Sequence, residues 1–244
     1  MAIASNTFLQ KYHIFPFAKE GAKALICLSY PLRRRLGAVD RRIISEYMAR
    51  HEVRKLHIGC GDNRLEGWLN SDYFPSSSAL LNLDATGKFP FPDASFDFIF
   101  SEHMIEHVPY SGGLNMLTEA HRVLRKGGVL RISTPDLAFL LALFQEQKSE
   151  LQQEYIAHET NTFIADAPGY SETFVFNRFV RSWGHTFIYD EKTLRAAMQT
   201  AGFHDLERCE LRQSKHAPLR DIENRSRVPE KFLRLETMTI EATK

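Results

Sequence analysis

The residues best suited to chemistry in this sequence follow short apolar segments, where side chains leave a sheet and can face a ligand. His103 and His107 come just after the apolar segment Phe96–Phe100, and His185 follows a stretch rich in aromatic residues. Imidazole changes its protonation state near neutral pH and can take a proton from a reacting nucleophile. We therefore name His103, His107 and His185 as candidate catalytic bases.

A second group of residues is suited to holding a ligand. Lys55–Ile58 predicts a strand that ends in Gly59-Cys60-Gly61, a pattern that lets the backbone turn tightly and bring its amides close to a ligand. Asp72 ends the next predicted strand and can accept hydrogen bonds from both hydroxyls of a ribose. The candidate ligand-binding residues are Gly59, Cys60, Gly61, Asp72, Tyr73, Asp84, Ala85, Ser101 and Glu102.

Strand-like segments alternate with helical patterns along most of the chain, which predicts an α/β fold with a mostly parallel sheet. Residues 137–183 interrupt this alternation as a helical insertion. Residues 161–189 hold eight of the 28 aromatic residues, so we predict a lid over an acceptor pocket here. The predicted strands are Lys55–Ile58, Gly67–Asp72, Phe96–Phe100, Val129–Ser133, Leu206–Leu211 and Leu233–Ala242.

The glycine turn does not fit a nicotinamide-dependent oxidoreductase. The third glycine of the dinucleotide pattern G-x-G-x-x-G would fall at position 64, which is Arg64. The acid at Asp72 also follows Gly61 more closely than the roughly 20 residues of a dinucleotide-binding unit. We therefore expect the first crossover helix to be cut to a turn or two.

The segments between Lys55 and Pro135, taken in their order along the chain, resemble those of the class I S-adenosylmethionine-dependent methyltransferases, particularly the small-molecule group. A subgroup in which "GCG" is followed shortly by "GW-x-N-x-D" is also similar. The sequence departs from the family at His57, where an acid is usual, and at Asn63, where a third glycine is usual. The most specific pieces are His57-Ile58-Gly59-Cys60-Gly61, Phe89–Asp97, Glu106-His107-Val108 and Val123–Leu130.

The resemblance implies a Rossmann-like, seven-stranded, mostly parallel sheet with helices on both faces and one antiparallel strand. It also implies that S-adenosyl-L-methionine is the cofactor, held by the candidate ligand-binding residues. The expected reaction is in-line methyl transfer to a small-molecule or glycan-type acceptor.

Two alternatives remain open at this stage. One is a non-catalytic module that binds S-adenosylmethionine for structure or regulation. The other is an RNA methyltransferase, which is disfavoured because Ser101-Glu102-His103-Met104 replaces the D/N-P-P-Y/F motif of base-amino methylases. The sequence pI is about 7.8, so the chain also lacks the overall basic charge that is typical of a nucleic-acid-binding domain.

Charge divides the chain unevenly. Residues 1–55 carry eleven Lys and Arg against four Asp and Glu, whereas the rest of the chain is net acidic. We predict a basic N-terminal helical extension over residues 1–50, with peripheral membrane contact, and a methyltransferase domain over residues 51–244. A helical pattern beginning near Pro31 supports the extension.

The cysteines indicate a reducing compartment. Cys27, Cys60 and Cys209 are widely separated and form no C-x-x-C pair, which argues against a disulfide framework and a zinc site of ordinary spacing. We therefore predict no metal site and a cytoplasmic protein. The sequence shows neither a signal peptide nor an apolar segment long enough to span a bilayer.

Overall fold

The computed structural model describes residues 38–225 and 228–244. The chain divides into two units, residues 1–45 and residues 46–244. Most of the predicted basic extension lies outside the described residues, so the membrane contact and the domain boundaries stay predictions. Among the described residues, no helix combines the length and apolar composition that crossing a membrane requires.

A single sheet of seven strands organises the described part of residues 46–244, in the order β3-β2-β1-β4-β5-β7-β6. Strand β7 runs antiparallel to both β5 and β6, whereas the pairs among β1 to β5 are parallel. The predicted mostly parallel sheet is confirmed. The strands are β1 (Lys55–Ile58), β2 (Leu69–Asp72), β3 (Leu81–Asn82), β4 (Phe96–Glu102), β5 (Leu124–Pro135), β6 (His204–Cys209) and β7 (Thr237–Thr243).

The register brings the candidate residues to one edge of this sheet. Ile58, the last residue of β1, pairs with Ser71 of β2 on one side and with Ser101 of β4 on the other. Because these strands are parallel, the turn after β1, the acid that ends β2 and the segment after β4 leave the sheet together. Open α/β sheets bind their ligands at this edge.

Helices lie in the connections from β4 to β5, β5 to β6 and β6 to β7, whereas residues 59–68, 73–80 and 83–95 join the first four strands without a helix. The first crossover, between β1 and β2, is therefore even shorter than expected: it contains no helix, whereas a helix of a turn or two was predicted. Two short 3₁₀ helices span Ile105–His107 and Ala217–Leu219. The α-helices are α1 (Ala38–Arg50), α2 (Tyr110–Val123), α3 (Leu137–Ala142), α4 (Glu150–Phe163), α5 (Glu172–Arg181), α6 (Glu191–Thr200) and α7 (Glu230–Glu236).

Local sequence signals explain the ends of several helices. The Asp190 side chain accepts a hydrogen bond from the Thr193 amide over 2.8 Å and so caps α6, as predicted. The predicted strand Leu233–Ala242 is wrong in its first part, because Pro229 starts α7 and the strand begins only at Thr237. Phe232 and Leu233 are buried on one side of that helix, and this packing outweighs their strand propensity.

The insertion has an apolar core of its own. Helices α3, α4, α5 and α7 contribute the buried side chains Phe139, Tyr155, Val175, Phe179 and Phe232. The aromatic residues of the insertion therefore serve first as a hydrophobic core. Other aromatic residues remain on its surface, among them Phe163 and Trp183, which are 45% and 54% exposed.

Candidate active site

The glycine turn after β1 depends on backbone conformations that favour glycine. Gly59 and Gly61 have φ angles of +70° and +50°. A Cβ on Gly59 would lie 2.5 Å from Cγ of Met104, so the turn packs directly against the segment that follows β4. A Cβ on Gly61 would meet nothing within 4 Å and would project into open space.

The amides of this turn point toward β2, not toward a ligand. The Cys60 amide donates to the carbonyl oxygen of Ser71 over 2.9 Å, and the Gly61 amide donates to Oδ2 of Asp72 over 3.0 Å. Both amides therefore already have protein acceptors, and contact between the glycine turn and a ligand stays a prediction. The Gly61 amide holds the Asp72 carboxylate in place together with the Phe74 amide, which donates to Oδ1 over 2.8 Å.

Three observations fit the expected nucleoside cofactor at this edge. Each carboxylate oxygen of Asp72 accepts one backbone amide and keeps a further lone pair that a ribose hydroxyl can use. The space beside Gly61 is open. The Ser101 hydroxyl is buried and has no hydrogen-bond partner among the described residues, so a polar ligand group could satisfy it.

The other candidate cofactor residues are placed less decisively. Oδ1 of Asp84 accepts from the amide and the hydroxyl of Thr86, over 2.9 Å and 2.7 Å, so this acid caps its own turn. Ala85 is buried, and Tyr73 is 48% exposed with its ring edge-on to Phe74. Burial raises the pKa of Cys60 to about 11, so its thiol is a small packed group at neutral pH and not a nucleophile.

Glu102 ends β4 at this edge of the sheet, and its contact with the cofactor stays a prediction. Its carboxylate accepts the Asn224 amide over 3.0 Å and the side-chain amide of Asn63 over 3.2 Å. It therefore ties the loop around residue 224 to the glycine turn.

A cavity of about 390 Å³ opens beside this edge. The ends of β4 and β5 form one wall, and the helical insertion forms the opposite wall. Its lining residues are His103, His107, Pro135, Glu159, Phe163, Phe179, Trp183, His185, Val228 and Glu236.

The fold brings the three predicted catalytic histidines to this one cavity. Nδ1 of His185 lies 2.7 Å from the carbonyl oxygen of Phe179, and because a carbonyl only accepts, Nδ1 must carry the proton. Nε2 of His185 therefore presents a lone pair. Burial lowers the pKa of His185, which favours this neutral form. The ring of His107 packs edge-on against it, with centroids 4.9 Å apart.

His103 is held differently, because both of its ring nitrogens have protein neighbours. Nδ1 lies 3.3 Å from Oε1 of Glu106, and Nε2 lies 3.3 Å from the hydroxyl of Thr237. Its backbone also adopts a φ of +47°, which few residues other than glycine favour. These contacts make His103 a fixed part of the cavity wall and leave His185 better suited to contact a substrate.

Glu106 is a central residue that the sequence analysis did not single out for chemistry. Its side chain is fully buried, with Oε2 accepting from the Thr134 hydroxyl over 3.0 Å. Burial raises the pKa of Glu106, but the imidazoles of His103 and His107 outweigh burial and lower the pKa overall. Glu106 lies between His103 and His107 in the sequence, inside the segment Glu106-His107-Val108 that carries part of the family resemblance. An acid at that position was the signal that could have identified it.

The backbone of Glu106 also explains how His185 reaches the cavity. The Glu106 carbonyl oxygen accepts the amides of Thr186 and Phe187, over 2.8 Å and 3.1 Å. The segment after the insertion is thereby fastened to the 3₁₀ helix that follows β4. Residues distant in sequence thus converge at one point.

The far wall of the cavity carries a buried ion pair that the sequence analysis also missed. Arg178 donates to Glu159 over 2.6 Å. The Arg178 guanidinium lies 3.9 Å from the ring centroid of Phe163 and 4.0 Å from that of Trp183. These cation–π contacts hold the two exposed rings at the mouth of the cavity.

Comparison with known proteins gives one family match. Residues 72–132 match the model of a family described as a methyltransferase domain. A comparison with curated protein sequences gave no match.

Several solved structures are similar over most of the chain. One is a SAM-dependent methyltransferase, possible histamine N-methyltransferase, from Thermotoga maritima (22% identity, 88% of this chain and 95% of that chain, TM-score 0.43). Another is a possible exported protein from Bordetella parapertussis (15% identity, 87% and 68%, TM-score 0.47). A third is a SAM-dependent methyltransferase from Archaeoglobus fulgidus (18% identity, 87% and 94%, TM-score 0.44).

The family match begins at Asp72, the acid that ends β2, and runs into β5. It therefore includes six of the nine candidate cofactor residues, from Asp72 to Glu102, but not the glycine turn after β1. The antiparallel β7 in an otherwise parallel sheet is the arrangement that the resemblance implied. The match over residues 72–132, on a sheet of this order, indicates a methyltransferase domain that uses S-adenosyl-L-methionine as its cofactor.

Proposed function

We propose that this enzyme methylates a small-molecule or glycan-type acceptor bound in the cavity beside the glycine turn. The single observation that carries this proposal is the cavity of about 390 Å³ at the end of β4, walled by apolar rings and by histidines. Sites for small ligands typically enclose about 300–1,000 Å³ and combine apolar walls with a few polar groups. A cavity at the lower end of that range suits one small ring system or one sugar unit.

The position of the cavity relative to the cofactor edge supports the proposal. His103 lines the cavity, and the next residue, Met104, fills the space that a side chain on Gly59 would need. Two consecutive residues therefore contact the two sites: His103 lines the acceptor cavity and Met104 packs against the glycine turn. The cavity and the turn are thus adjacent. An acceptor in the cavity would therefore lie next to a cofactor held at Asp72.

The chain's own residues have clear tasks in such a reaction. S-adenosylmethionine, when bound, supplies a methyl group on a sulfonium that already carries its leaving group. Asp72 and the glycine turn hold the nucleoside, and Phe163 and Trp183 restrict water at the cavity mouth. Holding two reactants in line can lower a barrier by about 7–11 kcal/mol.

We assign contact with the acceptor's nucleophilic atom to His185, whose Nε2 lone pair is available, with His107 beside it. His103 acts as a positioning residue, because Glu106 and Thr237 lie close to its ring nitrogens. Acceptor binding at this end of the cavity favours an oxygen or nitrogen nucleophile, since imidazole contacts such groups through hydrogen bonds.

Release of S-adenosylhomocysteine, measured over a panel of sugars, phenols and amines, tests the proposal. We expect turnover with at least one acceptor class, and a loss of about 100-fold in kcat for His185→Gln with an unchanged cofactor Kd. His204→Gln, at an exposed histidine that is not among the cavity-lining residues, is the matched control. Cofactor binding without turnover over the whole panel would instead favour a non-catalytic binding module.

A further inference from the structure

We propose that Glu106, His107 and His185 form a site for a divalent transition-metal cation in the wall of the acceptor cavity. One potential ligand atom from each residue lies within 4.8 Å of the others. Sequence patterns do not indicate this site, because His107 and His185 are far apart in the chain and no Cys is involved. The metal-binding step stands independently of the proposed function, whereas the use of the ion rests on it.

The ligand atoms are of the right kind and are available. Oε1 of Glu106 is buried and makes no well-directed hydrogen bond among the described residues. It lies 4.0 Å from Nε2 of His107. His185 contributes an imidazole whose Nε2 carries a lone pair, since Nδ1 donates to Phe179. Two imidazoles and one carboxylate are a common ligand set for divalent transition metals.

The groups around these ligands also resemble those of metal sites. Metal-binding histidines usually donate their second ring N–H to a carbonyl or carboxylate, and ligating carboxylates are themselves hydrogen-bonded. The Phe179 carbonyl supplies the first of these contacts to His185, and the Thr134 hydroxyl supplies the second to Glu106. His103, with Nδ1 3.3 Å from Oε1 of Glu106, is placed to support the same carboxylate.

The geometry requires the three side chains to close in on the ion. Ligands about 2.0–2.2 Å from one ion at tetrahedral angles lie about 3.3–3.6 Å from each other, so a separation of up to 4.8 Å must shrink by roughly an ångström. The side chain of His107 is 34% exposed and can supply this movement. Three protein ligands leave further coordination positions, and these would face the cavity.

Such an ion would occupy the Nε2 lone pair of His185 and would itself contact the acceptor's nucleophilic atom in place of the imidazole. It would therefore select acceptors that present an oxygen. Coordination lowers the pKa of a bound hydroxyl, as it does for water. The acceptor O–H bond breaks and its proton passes to solvent water, after which the O–CH₃ bond forms while the S–CH₃ bond of the sulfonium breaks. The products are a methyl ether or ester and S-adenosylhomocysteine. The structure thus points to an acceptor bearing a hydroxyl or carboxylate beside a second oxygen that can also coordinate.

Binding of Co²⁺ to the full-length, chelator-treated protein tests the metal site without any acceptor. We expect one equivalent to bind with visible d–d absorption, and His107→Gln and His185→Gln each to weaken binding at least tenfold. His204→Gln is the matched control, because that histidine is exposed and outside the cluster. Equal Co²⁺ affinity in the wild-type protein and the two cluster variants, or no Co²⁺ binding at all, would overturn the site.

Turnover and Co²⁺ binding, measured on the same protein, distinguish failure of the metal proposal from failure of the proposed function. Turnover that is unchanged after chelation, together with no cluster-dependent Co²⁺ binding, would remove the metal and leave the methyltransferase acting on its acceptor. Cluster-dependent Co²⁺ binding without methylation of any acceptor would keep the metal site and remove the proposed acceptor. Thermal unfolding of both cluster variants checks that they remain folded.

Discussion

The backbone amide of Gly61 donates a hydrogen bond to Oδ2 of Asp72 over 3.0 Å. This contact joins the turn after β1 to the acid that ends β2, across a crossover that contains no helix. With Phe74 donating to Oδ1, the carboxylate is fixed at both oxygens before any ligand arrives. Preorganisation of this kind reduces the entropy lost when a ribose binds.

Asp72→Ala should therefore weaken S-adenosylmethionine binding at least tenfold, because the ribose loses its acceptor and the turn loses its anchor. Asp72→Asn should have an intermediate effect, since it keeps the shape and one acceptor oxygen. Calorimetric titration with S-adenosylhomocysteine measures the change, with Asp166→Asn as an exposed control. An unchanged Kd in Asp72→Ala would remove the ribose assignment.

The two glycines of the turn should respond differently to alanine. A Cβ at Gly59 would collide with Met104, so Gly59→Ala should lower the melting temperature. Gly61→Ala strains the backbone by about 1–2 kcal/mol and places its methyl group in open space. We expect Gly61→Ala to fold and to lose affinity for S-adenosylhomocysteine; equal affinity to wild type would mean that the open space is not the cofactor site.

Glu102→Gln should affect stability and not cofactor affinity. The Glu102 carboxylate accepts from Asn224 and Asn63, and a glutamine amide would place a donor against one of those donors. A loss of about 1–3 kcal/mol in the free energy of unfolding is expected. Denaturant unfolding and calorimetry on the same variant separate the two effects, and a tenfold loss of affinity without loss of stability would reinstate Glu102 as a cofactor residue.

Glu159 should make the protein less stable as the pH rises. Burial, opposed by Arg178, raises the pKa of Glu159 from 4.5 to about 7. The folded state therefore holds this proton more tightly than the unfolded state. The corresponding stabilisation is fully present below pH 4.5 and is lost as the pH rises through 7.

Denaturant unfolding between pH 5 and 8 measures this effect, which amounts to as much as about 3 kcal/mol. Glu159→Gln cannot lose a proton, so its free energy of unfolding should vary less with pH over this interval. Asn161→Asp, on the exposed side of the same helix, is a control for a change of charge on α4. Parallel pH profiles for wild type and Glu159→Gln would contradict the raised pKa.

Much of the fold could be predicted because its signals are local. The glycine pair after β1, the acid after β2 and the Asp190 cap each depend on neighbouring residues, and each lies where the pattern placed it. The start of β7 was mispredicted, because Phe232 and Leu233 fit a buried helix as readily as a strand, and only their packing against the insertion distinguishes the two.

By itself, the sequence determined the class of sheet, the edge at which the cofactor residues gather and the family that this order of motifs resembles. These features follow from the periodicity of side chains and from the conformations available to glycine, which the chain carries wherever it folds. Only the tertiary structure decided that the Gly61 amide contacts Asp72, that Glu102 accepts from Asn63 and Asn224, and that His185 meets Glu106 and His107. Those relationships depend on distances between residues remote in sequence, and such distances are set by packing the insertion against the sheet.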